Sequence, residues 1–326
     1  MVEELKEVNY WLVRTFSGRY FTEFVADSYI AIGWNEIADL DLIKTAPKNK
    51  DSLGILMNLS IGILKKEGKD ESQPGRITNP IMRFCNEMAI DDIVIIPNED
   101  SRLIQFGIIK SEVYLANKKP FEFNEGECNY LKRRKVNWVT WRDRHTLDPY
   151  LFSLLNSHYA VTKANDDYAH YIDRTLHGFF IKGGKAYLIL EVKKETGIYG
   201  NELLNFISQI LRTVDLVNTV ANEELNKNKV EIKLNIQSPG IIELSGDIKL
   251  IGAIAVGIVL IIGGTVKIKD FEVSTPGLGE MVLKFVRESN NHKIELRKLE
   301  MQETFLNLQV QLPKELTDST EEETEL

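Results

Sequence analysis

The sequence predicts an α+β protein made of three successive parts, and three observations carry that prediction. The first 150 residues hold short segments rich in aromatic and β-branched side chains, separated by turn chemistry. Residues 203–221 place apolar side chains at helical spacing along one face. Residues 250–266 run without a charge. The expected organisation is a mixed α/β domain over 1–150 and an α/β connector with an amphipathic helix over 151–228. A β-containing module with one very apolar helix follows over 229–312, with an acidic tail over 313–326.

In the first part, Asn9-Tyr-Trp-Leu-Val-Arg14 and Tyr29-Ile-Ala-Ile-Gly33 read as strands. Leu53, Leu56, Met57, Leu59, Ile63 and Leu64 fall close to helical spacing, weakened by Gly54 and Gly62. Asp70-Glu-Ser-Gln-Pro-Gly75 is a loop, and Pro80 suits the first turn of a helix carrying Ile81, Phe84 and Met88. Asp91-Asp92 ends that helix, and Ile93–Ile96 is a continuous apolar strand stopped by Pro97. Residues 103–113 and 134–141 supply two further strands. In the connector, Tyr187-Leu-Ile-Leu-Glu-Val192 is a strand reached through a Gly183-Gly184 hairpin turn. Leu203, Phe206, Ile207, Ile210, Val214, Val217 and Ala221 then trace a packing helix.

The chain of 326 residues suits two or three domains, and its 43% apolar and 27% charged composition is that of an ordinary globular protein. A net charge of -8 argues against a bulk nucleic-acid coat but leaves room for a local basic groove. Two cysteines, Cys85 and Cys128, with no CxxC and no His cluster, exclude a disulfide framework or a structural zinc site. Cys85, on an apolar helix face, reads as core. The start of the chain has neither the basic segment nor the apolar stretch of a secretory signal, so the N-terminal part is expected in the cytoplasm.

The charge-free run 250–266 sits at the lower length limit of a membrane-spanning helix, flanked by Lys249 and Lys267. Ala253 and Gly257 have the small-xxx-small spacing that lets helices approach closely in lipid. A weak echo surrounds it: Lys229-Val-Glu-Ile-Lys before, Thr265-Val-Lys-Ile-Lys after. If those pieces pair as strands, the run is a buried crossover or an oligomer contact. The expectations are thus a membrane span through 250–266, leaving the chain anchored to the inner or plasma membrane, or an enclosed helix in a homo-oligomer.

All four tryptophans lie within the first 141 residues. Flat aromatics at strand ends beside Arg76, Asn79 and Arg83 are the parts needed to grip a planar ligand, and a nucleobase is the obvious candidate. Trp34, after a strand ending in Gly33, is the first choice for stacking. Trp138 and Trp141 are three apart on a strand, so at most one lines any single pocket. Asn79 offers a donor and an acceptor to a base edge, or else caps a helix beginning at Pro80. Lys132, Arg133, Arg134, Lys135, Arg142 and Arg144 form the densest basic cluster, suited to phosphate contact or to a solvated surface.

Tyr10-Trp-Leu-Val-Arg-Thr15, Ile30-Ala-Ile-Gly-Trp34, Met82-Arg-Phe-Cys-Asn-Glu-Met-Ala-Ile-Asp-Asp-Ile-Val-Ile-Ile-Pro97 and Arg133-Arg-Lys-Val-Asn-Trp138 resemble the N-terminal domain of Mrr-type and related modification-dependent restriction proteins. That domain is similar to the PUA, EVE and YTH group of small β-barrels. The resemblance covers about residues 8–175, through Ala169-His-Tyr-Ile-Asp-Arg-Thr-Leu176. It implies a curved sheet that holds a modified or flipped base in an aromatic pocket. It also implies a role in prokaryotic defence against foreign DNA, with other defence-system proteins as partners.

The leading expectation is therefore a sensor of nucleic acid or a modified nucleotide, coupled to a membrane-inserting or self-associating C-terminal module and needing no cofactor. One alternative is a magnesium nuclease of PD-(D/E)xK type, from Glu191-Val-Lys193 with Asp173 as the nearest further acid. Another is a structural adaptor that oligomerises through its apolar run.

Overall fold

The computed structural model describes residues 3–118, 122–235, 240–262 and 292–316. They fall into two compact units. One comprises residues 7–176; the other joins the first six residues to those from His177 onward. Residues 151–176 thus belong with the first unit.

Strand β1 (Glu3–Glu4) belongs to the second unit. The first unit contains strands β2 (Tyr10–Val13), β3 (Tyr29–Ile32), β4 (Ile93–Pro97), β5 (Leu103–Ile109), β6 (Tyr114–Leu115), β7 (Lys132–Asp143) and β8 (Val161–Lys163). Its helices are α1 (Phe21–Ala26), α2 (Leu40–Thr45), α3 (Lys50–Lys66), α4 (Gly75–Met82), α5 (Leu151–Leu155) and α6 (Asp166–Leu176). The strands form one curled sheet in the order β3-β7-β5-β4-β2-β8, with β6 also on β7. This is a half-barrel where the resemblance implied a β-barrel: β3 and β8 are its two ends.

Strand β7 explains the curl. Its first third pairs with β3 (Ile32 opposite Lys132), while Val136–Asp143 pairs with β5. The register jumps between Phe106 and Gly107, which face Thr140 and Trp138, so Val139 is an extra residue and the ribbon bends. Gly107 is required at the bend: a Cβ there would lie 2.4 Å from Val136 Cγ1 and 2.5 Å from Trp138 Cε3.

Both faces of the sheet are covered, which is why Ile93–Ile96 is apolar throughout rather than alternating. Trp11, Val13, Val94 and Ile96 enter a core shared with Phe24, Ile43, Leu56, Ile77 and Phe84. Tyr10, Leu12, Ile93 and Ile95 enter a second core with Leu151, Leu154 and Ile172. Helix α4 starts at Gly75, so Pro80 lies inside it and Asn79 does not cap it. The chain leaves α4 through a π-helical turn, Arg83–Glu87, that begins three residues after Pro80, which lacks an N–H.

In the second unit, β9 (Phe179–Lys182), β10 (Lys185–Val192), β11 (Glu231–Asn235), β12 (Gly240–Gly246) and β13 (Val310–Gln311) join β1 in a sheet ordered β1-β9-β10-β12-β11, with β13 also on β10. Gly183 and Gly184 take φ of 58° and 75°, the expected hairpin turn. Helices α7 (Gly200–Ala221), α8 (Ile248–Ile262) and α9 (His292–Asn307) complete it.

Helix α8 overturns the membrane expectation. No helix of the described residues is long and apolar enough to cross a membrane. Ile251, Ala253, Ile254, Ala255, Ile258 and Val259 are fully enclosed in a core with Phe206, Ile210 and Val214 of α7, Leu188 and Leu190 of β10, and Phe305 of α9. The helix is apolar on every side because protein covers every side. The small residue at Gly257 serves this packing: a Cβ there would lie 2.2 Å from Thr213 Cγ2 of α7. Residues 263–266 of the run, and the second half of the internal echo, lie outside the described residues.

Candidate functional site: a strained aromatic cleft

A cleft of about 1640 Å³ opens where several strands of the first unit run into loops. Its walls are Arg14–Gly18 after β2, Gly33, Trp34 and Glu36 after β3, Pro97–Ser101 after β4, and Leu155–Ala160 before β8. Leu64, Glu67, Lys69, Gln73, Arg76 and Ile77 form a further wall, and Tyr130 contributes its ring.

Backbone strain gathers here. Nine non-glycine residues among those described have left-handed φ, and five of them line this cleft: Phe16, Ser17, Trp34, Asp100 and Ser101. Such conformations cost on the order of 1–3 kcal/mol each for bulky residues and persist only where surroundings enforce them.

The enforcement at Trp34, with φ of 57°, can be traced atom by atom. Lys132 is 0% exposed and donates from Nζ to the Trp34 carbonyl at 2.9 Å and to the Ile37 carbonyl at 2.8 Å. Burial pushes its ammonium down to about 8. Asn35 ties the same turn to the neighbouring chain, donating to Asn129 O at 2.9 Å and accepting from Leu131 N at 3.1 Å. Gly33 admits the Tyr130 ring, whose Cε1 would sit 3.1 Å from a Cβ. The Trp34 indole is half-buried, with one part on the core and another on the cleft.

The other loops are fastened as firmly. Gly18, at φ of 90°, lies so close to Glu99 that a Cβ would be 2.2 Å from its backbone nitrogen. Thr15 Oγ1 donates to Pro97 O at 2.7 Å. The Arg14 guanidinium donates to Ser157 O at 2.8 Å and to Leu155 O, which joins β2 to the loop before β8. A chain of rings supports the wall: Phe16 of the lining stacks on Tyr20 at 5.7 Å, and Tyr20 meets Tyr130 of the lining edge-on at 5.2 Å.

Among its cations, Arg14 is committed to carbonyls and Lys69 is paired with Glu67 at 2.7 Å. The Arg76 guanidinium is exposed and makes no hydrogen bond or ion pair among the described residues. Glu36, Glu67, Glu99 and Asp100 bring four carboxylates to the same walls.

Trp34 and Arg76 thus meet in one cleft, and the other expected ligand contacts do not. Asn79 is exposed on α4 away from it. Arg83 donates to Val161 O at 3.2 Å. Trp138 packs on the core with its Nε1 on Phe24 O at 3.0 Å, while Trp141 is 59% exposed.

The basic cluster is largely structural, which corrects the phosphate expectation for its two innermost members. Lys132 holds the Trp34 turn. Arg134, also 0% exposed, donates to Phe84 O at 2.8 Å, Met88 O at 2.9 Å, Ser111 O at 3.0 Å and Cys85 O at 3.2 Å, so it caps the end of the π turn. Arg133 donates to Cys128 O and Tyr130 O and lies 4.2 Å over the Tyr29 ring. Arg142 bonds Thr140 Oγ1 and Thr175 O. Arg144 bonds Asn156 Oδ1 and covers the Phe152 ring. Lys135 faces outward.

For the nuclease alternative, Asp173 belongs to the first unit, where it is buried and accepts from the Tyr10 hydroxyl. Glu191 and Lys193 belong to the second and pair with each other. No group of three His, Cys, Asp or Glu side chains that could hold a metal ion occurs among the described residues.

Sequence reasoning missed Phe16, Tyr130 and Tyr159 as cleft residues. The short Phe16-Ser-Gly18 turn after β2 was the one local signal, and Tyr130 carried none. Residues 11–154 match the model of a family described as a domain of unknown function (DUF8426). No curated protein matches the chain.

Proposed function

We propose that the first unit binds a planar heterocycle, a nucleobase carried by a nucleotide or by nucleic acid, and acts as a reader of that base. The observation that supports this best is the convergence of five left-handed non-glycine residues on one aromatic cleft, with Trp34 among them. Strain of that kind, held by buried donors, keeps an aromatic face fixed before a ligand arrives. Binding then spends little on ordering the site. Trp34 supplies the stacking surface, and Arg76 the guanidinium for a phosphate or a base edge.

The test is a binding titration of nucleotides against the intact chain and its Trp34→Ala and Arg76→Ala variants. Loss of a stacking partner is worth roughly 1–3 kcal/mol, about five-fold to 150-fold in affinity. Arg76 is exposed, so its variant should keep its melting temperature within a few degrees, whereas Trp34→Ala also removes packing on the core and should melt lower while staying folded at the assay temperature. Unaltered affinity in both variants would remove this cleft from consideration.

A further inference from the structure

The cleft is larger than one base needs. Pockets for small ligands run to roughly 300–1,000 Å³, against about 1640 Å³ here. Its aromatic side chains also divide into two groups. Trp34 and Tyr130 flank Gly33. The other group sits on two joined loops: the bond from Arg14 N to Ala160 O, 2.9 Å, sets the loop carrying Phe16 beside the loop carrying Tyr159. Those two residues are 54% and 62% exposed, and Phe16 and Tyr130 each contact Tyr20.

We infer that the ligand spans two bases: a dinucleotide step of single-stranded nucleic acid, one base on Trp34 and Tyr130, the next on Phe16 and Tyr159. This rests on the base-binding reading above. The charges set the length. With Glu36, Glu99 and Asp100 on its walls beside the paired Glu67, and Arg76 the cleft guanidinium not bonded to carbonyls, the cleft can balance at most one phosphate. It does not suit a duplex or a long strand tracked by its backbone, and Lys132 and Arg134, which might have served one, are sealed in the core.

The experiment is a calorimetric comparison of mononucleotides, dinucleotides and tetranucleotides of all four bases, ribo and deoxy, and a short duplex. The expected result is dinucleotide binding about ten-fold tighter than mononucleotide, little further gain with four nucleotides, and weaker binding of the duplex. The double variant Phe16→Ala/Tyr159→Ala should lose that gain while keeping mononucleotide affinity. If mononucleotides and dinucleotides bind equally, and Trp34→Ala weakens both, the two-base inference fails and base binding stands. If no nucleotide of any length binds, the base-binding reading itself fails.

Discussion

Lys132 shows how far a side chain's role can lie from its chemical type. In the sequence it belongs to a run of four basic residues, and alternation on a strand could only divide that run between two faces. In the structure it is a buried cation bonded to two carbonyls, and one of those carbonyls belongs to the residue on which a ligand would stack. Replacing it with Met leaves both acceptors without a donor, at about 1–3 kcal/mol each, partly offset because a buried charge is also removed. The Lys132→Met variant is expected to exchange amide hydrogens faster over residues 33–38, with protection in β4 unchanged. Mass-resolved exchange measures this. Equal protection in both proteins would mean that Asn35 and Gly33 hold the turn unaided.

At the scale of elements, α8 makes the same point. Its composition is that of a membrane helix, and nothing in the fifteen residues themselves tells lipid from protein as the apolar surroundings. What settles the matter is that α7, α9, β10 and β12 surround it. Gly257 sits at the tightest point of that packing, so Gly257→Leu forces α8 away from Thr213. Overpacking of this kind costs typically about 1–3 kcal/mol. Chemical denaturation followed by exchange in β10 should show the second unit opening at lower denaturant, while β4 of the first unit keeps its stability. The bend in β7 was equally hidden. A bulge is a matter of register between two strands, and neither strand's sequence states it.

At the scale of the molecule, the buried ionisable groups predict a response to alkali. Burial raises the thiols of Cys85 and Cys128 from 9.0 to about 11 and the Tyr130 phenol from 10.0 to about 12. The Tyr10 and Tyr29 phenols also rise, through burial first, then at Tyr10 through the charge of Asp173 and the hydrogen bond to it, and at Tyr29 through the hydrogen bond to Glu23. In each case the folded state keeps a proton that the unfolded chain releases. Their contribution is therefore complete below about pH 9; the thiols' share is lost as pH climbs through about 11, and that of Tyr130 through about 12, with Tyr10 and Tyr29 later still. Lys132 works in the opposite direction: its folded value of about 8 lies below the ordinary 10.5, so its contribution grows from pH 8 upward. With five groups against one, the melting temperature should fall steadily above about pH 9. Thermal melts across that range check it, and a melting temperature still rising near pH 10.5 would contradict the burial of these groups.

The sequence alone determined the α+β character and most strands and helices. Those features follow from local periodicity and turn residues. Only the tertiary structure decided which basic residues are sealed inside, that the apolar run of α8 faces protein, and that Phe16, Tyr130 and Tyr159 join Trp34 around one cleft. Each of those depends on which distant segments meet, and a side chain's surroundings are fixed by that meeting rather than by its neighbours along the chain.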